Sequence, residues 1–119
     1  VEEVTRDELV ARLAAGDAIV LDVRSREEYE GLMTAPCDPR AGRIAGARHL
    51  DLQELLGLRP EQVRERVGAP EGAEVIAYCH SGSRSGLACR VLAAAGYRAR
   101  NYAGSWHEWS RDPALPSEP

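Results

Sequence analysis

The chain has 119 residues, which suits a single domain spanning 1–119 and suffices to bury a core without help from a metal or disulfide. Its 44% hydrophobic and 29% charged residues are ordinary for a soluble globular protein. A net charge of -4 argues against a nucleic-acid or anionic-membrane partner, since both favour a basic face.

In chain order, Thr5-Arg6-Asp7-Glu8 forms a capping box, and Val4, Leu9, Val10 and Leu13 follow at helical spacing, with Gly16-Asp17 as the stop. The apolar run from Ala18 to Val23 reads as a buried parallel strand. Ser25-Arg26-Glu27-Glu28 is a second capping box opening a short helix towards Tyr29, and Gly31 to Gly42, with two prolines, reads as a surface loop. Ile44 to Leu50 is expected to carry a second strand, followed by helices from Asp51 and from Pro60 to about Val67. Glu74 to Tyr78 is the third strand, a helix runs from about Ser85 to Ala95 with Gly96 as its stop, and Arg100-Asn101-Tyr102 is expected as the final strand. The tail from 112 to 119 holds three prolines and is expected to be extended or disordered. The alternation predicts an α/β domain with a mostly parallel central sheet flanked by helices on both faces.

Cys37, Cys79 and Cys89 are odd in number and irregularly spaced, unlike a disulfide framework, and no CxxC pair marks a zinc site. No apolar run reaches membrane-span length and the start does not read as a signal peptide, so the reducing cytoplasm is the expected setting. Val1 in place of Met fits either a trimmed chain or a piece of a longer protein.

The informative position is Cys79. It ends a buried strand immediately before a Gly- and Ser-rich turn and a helix, at the sheet edge where open α/β folds bind ligands. Such a turn aims backbone N–H groups inward as an anion nest, the helix N-terminus adds about half a positive charge, and Arg84 adds a full one. All three favour a thiolate, which is the nucleophilic form of a cysteine whose free pKa is about 8.5.

Tyr78 to Ser85, Tyr-Cys-His-Ser-Gly-Ser-Arg-Ser, resembles the active-site loop of the rhodanese family, C-x-x-G-x-R. Leu21-Asp22-Val23-Arg24-Ser25-Arg26-Glu27-Glu28-Tyr29 resembles the family's first strand and turn. Arg43-Ile44-Ala45-Gly46-Ala47 resembles its G-H-I-P-G-A segment, with Arg and Ala in place of His and Pro. Asn101 to Trp109 resembles the end of the catalytic, C-terminal half of tandem-domain thiosulfate sulfurtransferases, so the likeness spans roughly 18–113.

The resemblance implies a rhodanese-like domain in which Cys79 accepts sulfur as a persulfide and His80, Ser81, Gly82, Ser83 and Arg84 form the cradle. Arg84 would contact the sulfonate of thiosulfate; mercaptopyruvate-using relatives tend to have a small neutral loop. Asp22, Arg24 and Ser85 are implied as supporting residues, with Asp22 and Arg24 read equally as a strand-end ion pair tied to Glu28. Trp106 matches a residue near the pocket, although packing on the core is its simpler role. The implied partners are thiosulfate and a thiol or cyanide acceptor, including a sulfur-accepting protein. No metal, nucleotide or organic cofactor is implied.

Two other functions compete. Cysteine phosphatases and arsenate reductases also place a thiolate in a nest, but generally on C-x5-R, whereas Cys79 to Arg84 is C-x4-R. A protein-binding rhodanese-like module is the second rival, and such modules often lose the nucleophile. His80 adjoins Cys79 but, in a tight turn, is expected to point away from it. His49 and His107 read as structural or exposed, Cys89 as core, Cys37 as an exposed loop thiol, and Glu27-Glu28 as caps or solvated faces.

Overall fold

Strands and helices alternate along the chain. In the computed structural model, which describes residues 2–16 and 18–119, the order is β1 (Glu2–Glu3), α1 (Arg6–Ala15), β2 (Ile19–Asp22), α2 (Arg26–Tyr29), β3 (Arg43–Ile44), β4 (Arg48–His49), α3 (Leu52–Leu56), α4 (Pro60–Val67), β5 (Glu74–Tyr78), α5 (Ser83–Ala94), β6 (Arg98–Asn101), α6 (Ser105–Trp109) and β7 (Ser117–Glu118). Asp17, half of the predicted stop of the first helix, lies outside the described residues, as does Val1. Both predicted capping boxes form: Thr5 and Glu8 close one at α1, Ser25 and Glu28 the other at α2.

Five strands make one sheet in the order β1-β6-β5-β2-β4, and every neighbouring pair is parallel. Period-two alternation in the middle strands sets the layering. Leu21, Val75 and Ala77 face one way, into a core with Leu52 and Leu55 of α3, Val63 and Val67 of α4, and Cys89 and Leu92 of α5. Val20, Ile76 and Tyr78 face the other way, against Leu9 of α1, Ile44, and Trp106 and Trp109 of α6. Both faces are therefore covered by helices, and β5, paired on both edges, ends in the middle of the sheet. That ending delivers Cys79 to the interior rather than to a rim.

Three expectations need correction. The predicted strand from Ile44 to Leu50 is two: Gly46, at φ 83°, turns the chain, so β3 pairs antiparallel with β7 while β4 joins β2. Of the two readings of the tail, extended fits, since Ser117–Glu118 form β7, and disordered does not, because Arg40 gathers the carbonyls of Trp109, Ser110, Asp112 and Leu115 and the Ser117 hydroxyl, and Trp109 Nε1 donates to Pro116. β6 starts at Arg98 and is not the last strand, since β7 follows; β1 and α6 also went unpredicted. None of the helices among the described residues is long and apolar enough to cross a membrane.

Candidate active site

Residues 79–82 carry the chain from the end of β5 into α5. Gly82 makes the turn possible: it is the N-cap of α5 at φ 99°, ψ -15°, and a Cβ there would stand 2.8 Å from the Ala103 carbonyl oxygen. The Gly82 N–H consequently points back at Cys79 Sγ, 3.0 Å away. The sulfur thus sits at the positive N-terminus of a 12-residue helix, in a residue only 1% exposed. Burial pushes the Cys79 thiol up, but the Ser85 hydroxyl and the backbone N–H groups of Ser85, Gly82 and Ser81 outweigh it, so its pKa is lowered.

Ser85 has one hydroxyl proton and three acceptors in reach: Asn101 Oδ1 at 2.7 Å, the Gly82 carbonyl at 3.2 Å and Cys79 Sγ at 3.4 Å. The hydroxyl can swing its proton from the neutral amide to the sulfur when charge develops there. Asn101 is itself oriented by donating Nδ2 to the Gly82 carbonyl, so β6 braces the turn. From the other side, Cys79 N–H donates to Ser105 Oγ at 3.1 Å. The N–H groups of Trp106 and His107, otherwise unpaired in the first turn of α6, donate to the carbonyls of Cys79 and His80.

Arg84 is held by Glu28 through two contacts, Nη1 at 2.8 Å and Nη2 at 3.2 Å. Burial raises the Glu28 carboxyl, but the Arg84 pair and the Ser25 cap overcome it and bring the pKa down to about 2. The guanidinium charge that the sequence assigns to Cys79 is thus shared with a carboxylate; two of its five N–H donors are used there. Glu28, His80 and Arg84, with Met33, Thr34, Ala35 and Pro36 of the 31–42 loop, line a pocket of about 400 Å³.

The supporting residues separate into two groups. Ser85 touches the sulfur. Asp22 and Arg24 instead form a buried pair at 2.7 Å, with Arg24 also donating to the Gly42 carbonyl and Tyr78 OH donating to Asp22. Trp106, 1% exposed, packs in the core with the Arg24 guanidinium 5.2 Å from its ring centre. That network fixes β2 to β5 and to the 31–42 loop. His80 Nε2 lies 3.0 Å from Asp38 Oδ2. Cys89 is buried, its thiol pushed up to about 11 by burial, and Cys37 is exposed.

Sequence reasoning missed Glu28 as the holder of Arg84, Asn101 as the brace of Ser85, and Ser105 as the acceptor for the Cys79 N–H. Asn101 and Ser105 lay inside the segment that resembles the family, which was the available signal. Glu28 was readable as a cap or as a partner of the Asp22–Arg24 pair, not as the holder of Arg84.

A family model for the rhodanese-like domain matches residues 5–112. The thiosulfate sulfurtransferase of Pseudomonas aeruginosa is 37% identical over 123 residues, covering 96% of this chain and 45% of that protein. The human thiosulfate:glutathione sulfurtransferase is 34% identical over 114 residues, covering 89% of this chain and 90% of its own length. A crystal structure of a "probable thiosulfate sulfurtransferase" superposes with a TM-score of 0.83 at 48% identity, over 98% of this chain and 47% of that one. The chain therefore spans a little under half the length of these bacterial and structural relatives, and most of the human one.

Proposed function

The chain belongs to the rhodanese-like domain family, and on that premise we propose that it moves sulfane sulfur from thiosulfate to a thiophilic acceptor through a persulfide on Cys79. The observation that carries the reading is the Cys79 sulfur itself, held at 3.0 Å from the Gly82 N–H and 3.4 Å from the Ser85 hydroxyl at the N-terminus of α5. These donors stabilise negative charge where it must sit, first on the thiolate and then on the outer sulfur of the persulfide.

In the first half-reaction the Cys79 thiolate attacks the outer sulfur of thiosulfate. A new S–S bond forms, the S–S bond of the donor breaks, and its electron pair leaves with sulfite. In the second, the acceptor attacks the outer sulfur of the persulfide and the electron pair returns to Cys79. Cyanide gives thiocyanate; a thiolate gives a new persulfide. No general base is needed once the thiol is ionised, which fits His80 facing Asp38 rather than the sulfur. The Arg84 donors that Glu28 leaves free suit an incoming sulfonate at the pocket.

A thiol is a natural acceptor, and the human relative is named for glutathione; a sulfur-accepting protein fits the same chemistry, and a reducing, cytoplasmic setting would keep the three thiols free. The phosphatase reading is weaker, since the C-x4-R loop is one residue short and its arginine is already shared with Glu28.

Steady-state assays of wild type and Cys79→Ser with thiosulfate, and cyanide or glutathione as acceptor, test the proposal. Turnover lost in the variant supports it. No turnover from thiosulfate while another sulfur donor works, or aryl phosphate hydrolysis abolished by Cys79→Ser, would overturn it.

A further inference from the structure

Beside the Cys79 loop, four side chains converge whose chemistry sulfur transfer does not use. Cys37 and Asp38 come from the 31–42 loop, His80 follows Cys79, and His107 lies on α6; one ligand-capable atom of each lies within 4.8 Å of the other three. Backbone contacts fix the convergence. His107 N–H donates to the His80 carbonyl at 2.9 Å. Arg111 clamps the remainder, with Nη2 on the Cys37 carbonyl at 2.7 Å, and Nη1 on the His107 carbonyl and on Asp38 Oδ1.

A second observation points to a ligand. The Asp38 side chain is 1% exposed, and its Oδ2 and the facing His80 Nε2, 3.0 Å apart, are an ion pair only when the ring carries a second proton; neither atom has a hydrogen bond. Folded proteins rarely leave a buried carboxylate oxygen and a ring nitrogen both unsatisfied. A cation between them would satisfy both.

We infer that Cys37, Asp38, His80 and His107 form a binding site for one zinc-class divalent cation. A thiolate, two imidazoles and a carboxylate are the donor set such a borderline-soft ion prefers. With bonds of about 2.1 Å to N and O and about 2.3 Å to S, tetrahedral donors stand roughly 3.4–3.7 Å apart. The Asp38–His80 pair must open by about half an ångström and the widest pairs close by about one, which side-chain rotation supplies. Cys37 releases its proton to solvent on binding. Its thiolate and the Asp38 carboxylate then balance the ion's two positive charges, leaving both imidazoles neutral. Exposed Cys37 and half-exposed His107 provide the way in. No CxxC pair announces the site, because its donors come from three separate segments of the chain. A bound ion would tie the 31–42 loop, one wall of the pocket, to α6 and to the Cys79 loop.

The test removes the reactive thiol first. Cys79→Ser protein is titrated with Co²⁺, followed by competition with Zn²⁺. One ion per chain is expected, with a thiolate-to-cobalt charge-transfer band in the near ultraviolet. Adding Cys37→Ser should abolish the band, and adding His107→Ala should weaken binding by at least roughly tenfold, with circular dichroism confirming that each variant folds. No stoichiometric binding to Cys79→Ser, or binding indifferent to both additional substitutions, would overturn the inference. Because the readout is metal occupancy in a protein lacking the sulfur-accepting thiol, its failure leaves the sulfur-transfer proposal untouched.

Discussion

Gly82→Ala perturbs the turn at its tightest point. The glycine sits at φ 99°, where an L side chain is disfavoured by about 1–2 kcal/mol. Its Cβ would also meet Ala103 backbone atoms at 2.8, 3.1 and 3.3 Å, and backbone cannot swing aside as a side-chain tip can. Overpacking of this kind adds about 1–3 kcal/mol, for a total of roughly 2–5 kcal/mol. Relief by shifting the turn moves the Gly82 N–H off the sulfur, so persulfide formation should fall by roughly a hundredfold as well. Gly72→Ala is the control: Gly72 has a similar φ of 90° but open space where its Cβ would be. Chemical denaturation of both variants isolates the clash, and Gly82→Ala should be the less stable by about 1–3 kcal/mol. Equal stability of the two, with sulfur loading by Gly82→Ala unchanged, would refute the reasoning.

Two buried serines should respond in opposite ways to alanine. Ser105→Ala strands the buried Cys79 N–H that its hydroxyl accepts at 3.1 Å and should cost about 1–3 kcal/mol in urea unfolding. Ser110→Ala removes a buried hydroxyl that has no hydrogen bond and should be neutral or stabilising; a destabilised Ser110→Ala beside an unaffected Ser105→Ala would reverse the assignment. Glu28 titrates at about 2 in the folded chain against 4.5 in its ordinary state. Its depressed pKa contributes stability that is fully present above pH 4.5 and lost as pH falls towards 2. Wild type should accordingly lose its advantage over Glu28→Gln between pH 5 and pH 2.5 (roughly the span of that titration), and a stability difference independent of pH would show that the Arg84 pair contributes nothing.

The sequence made the central strands and the position of Cys79 legible because their signals are local. Val75 to Tyr78 is a short apolar run, and Cys79 follows it at once, three positions before Gly82, a glycine that a tight turn requires. The start of α5 at Ser83 rather than Ser85 follows from Gly82 serving as the N-cap, a position that composition alone leaves ambiguous. What stayed hidden depends on contacts distant in sequence. Arg84 finds Glu28 across 56 positions, and Ser85 finds Asn101 across 16, so neither partner appears in the loop itself. The order of the proline-rich tail was hidden because it comes from outside it, through one guanidinium, Arg40, that reaches the Asp112 and Leu115 carbonyls and the Ser117 hydroxyl. Asp22 and Arg24 are two positions apart in an extended segment and so share a side, which made their ion pair one of the two readings; that the pair is buried in the core is a consequence of packing that the sequence does not display.

The most direct test of sulfur transfer through Cys79 is intact-mass spectrometry of wild type and Cys79→Ser after incubation with thiosulfate, before and after cyanide. The prediction is a gain of roughly 32 Da, one sulfur atom, in wild type, reversed by cyanide and absent from the variant. An adduct that persists in Cys79→Ser, or no adduct in wild type, would contradict it.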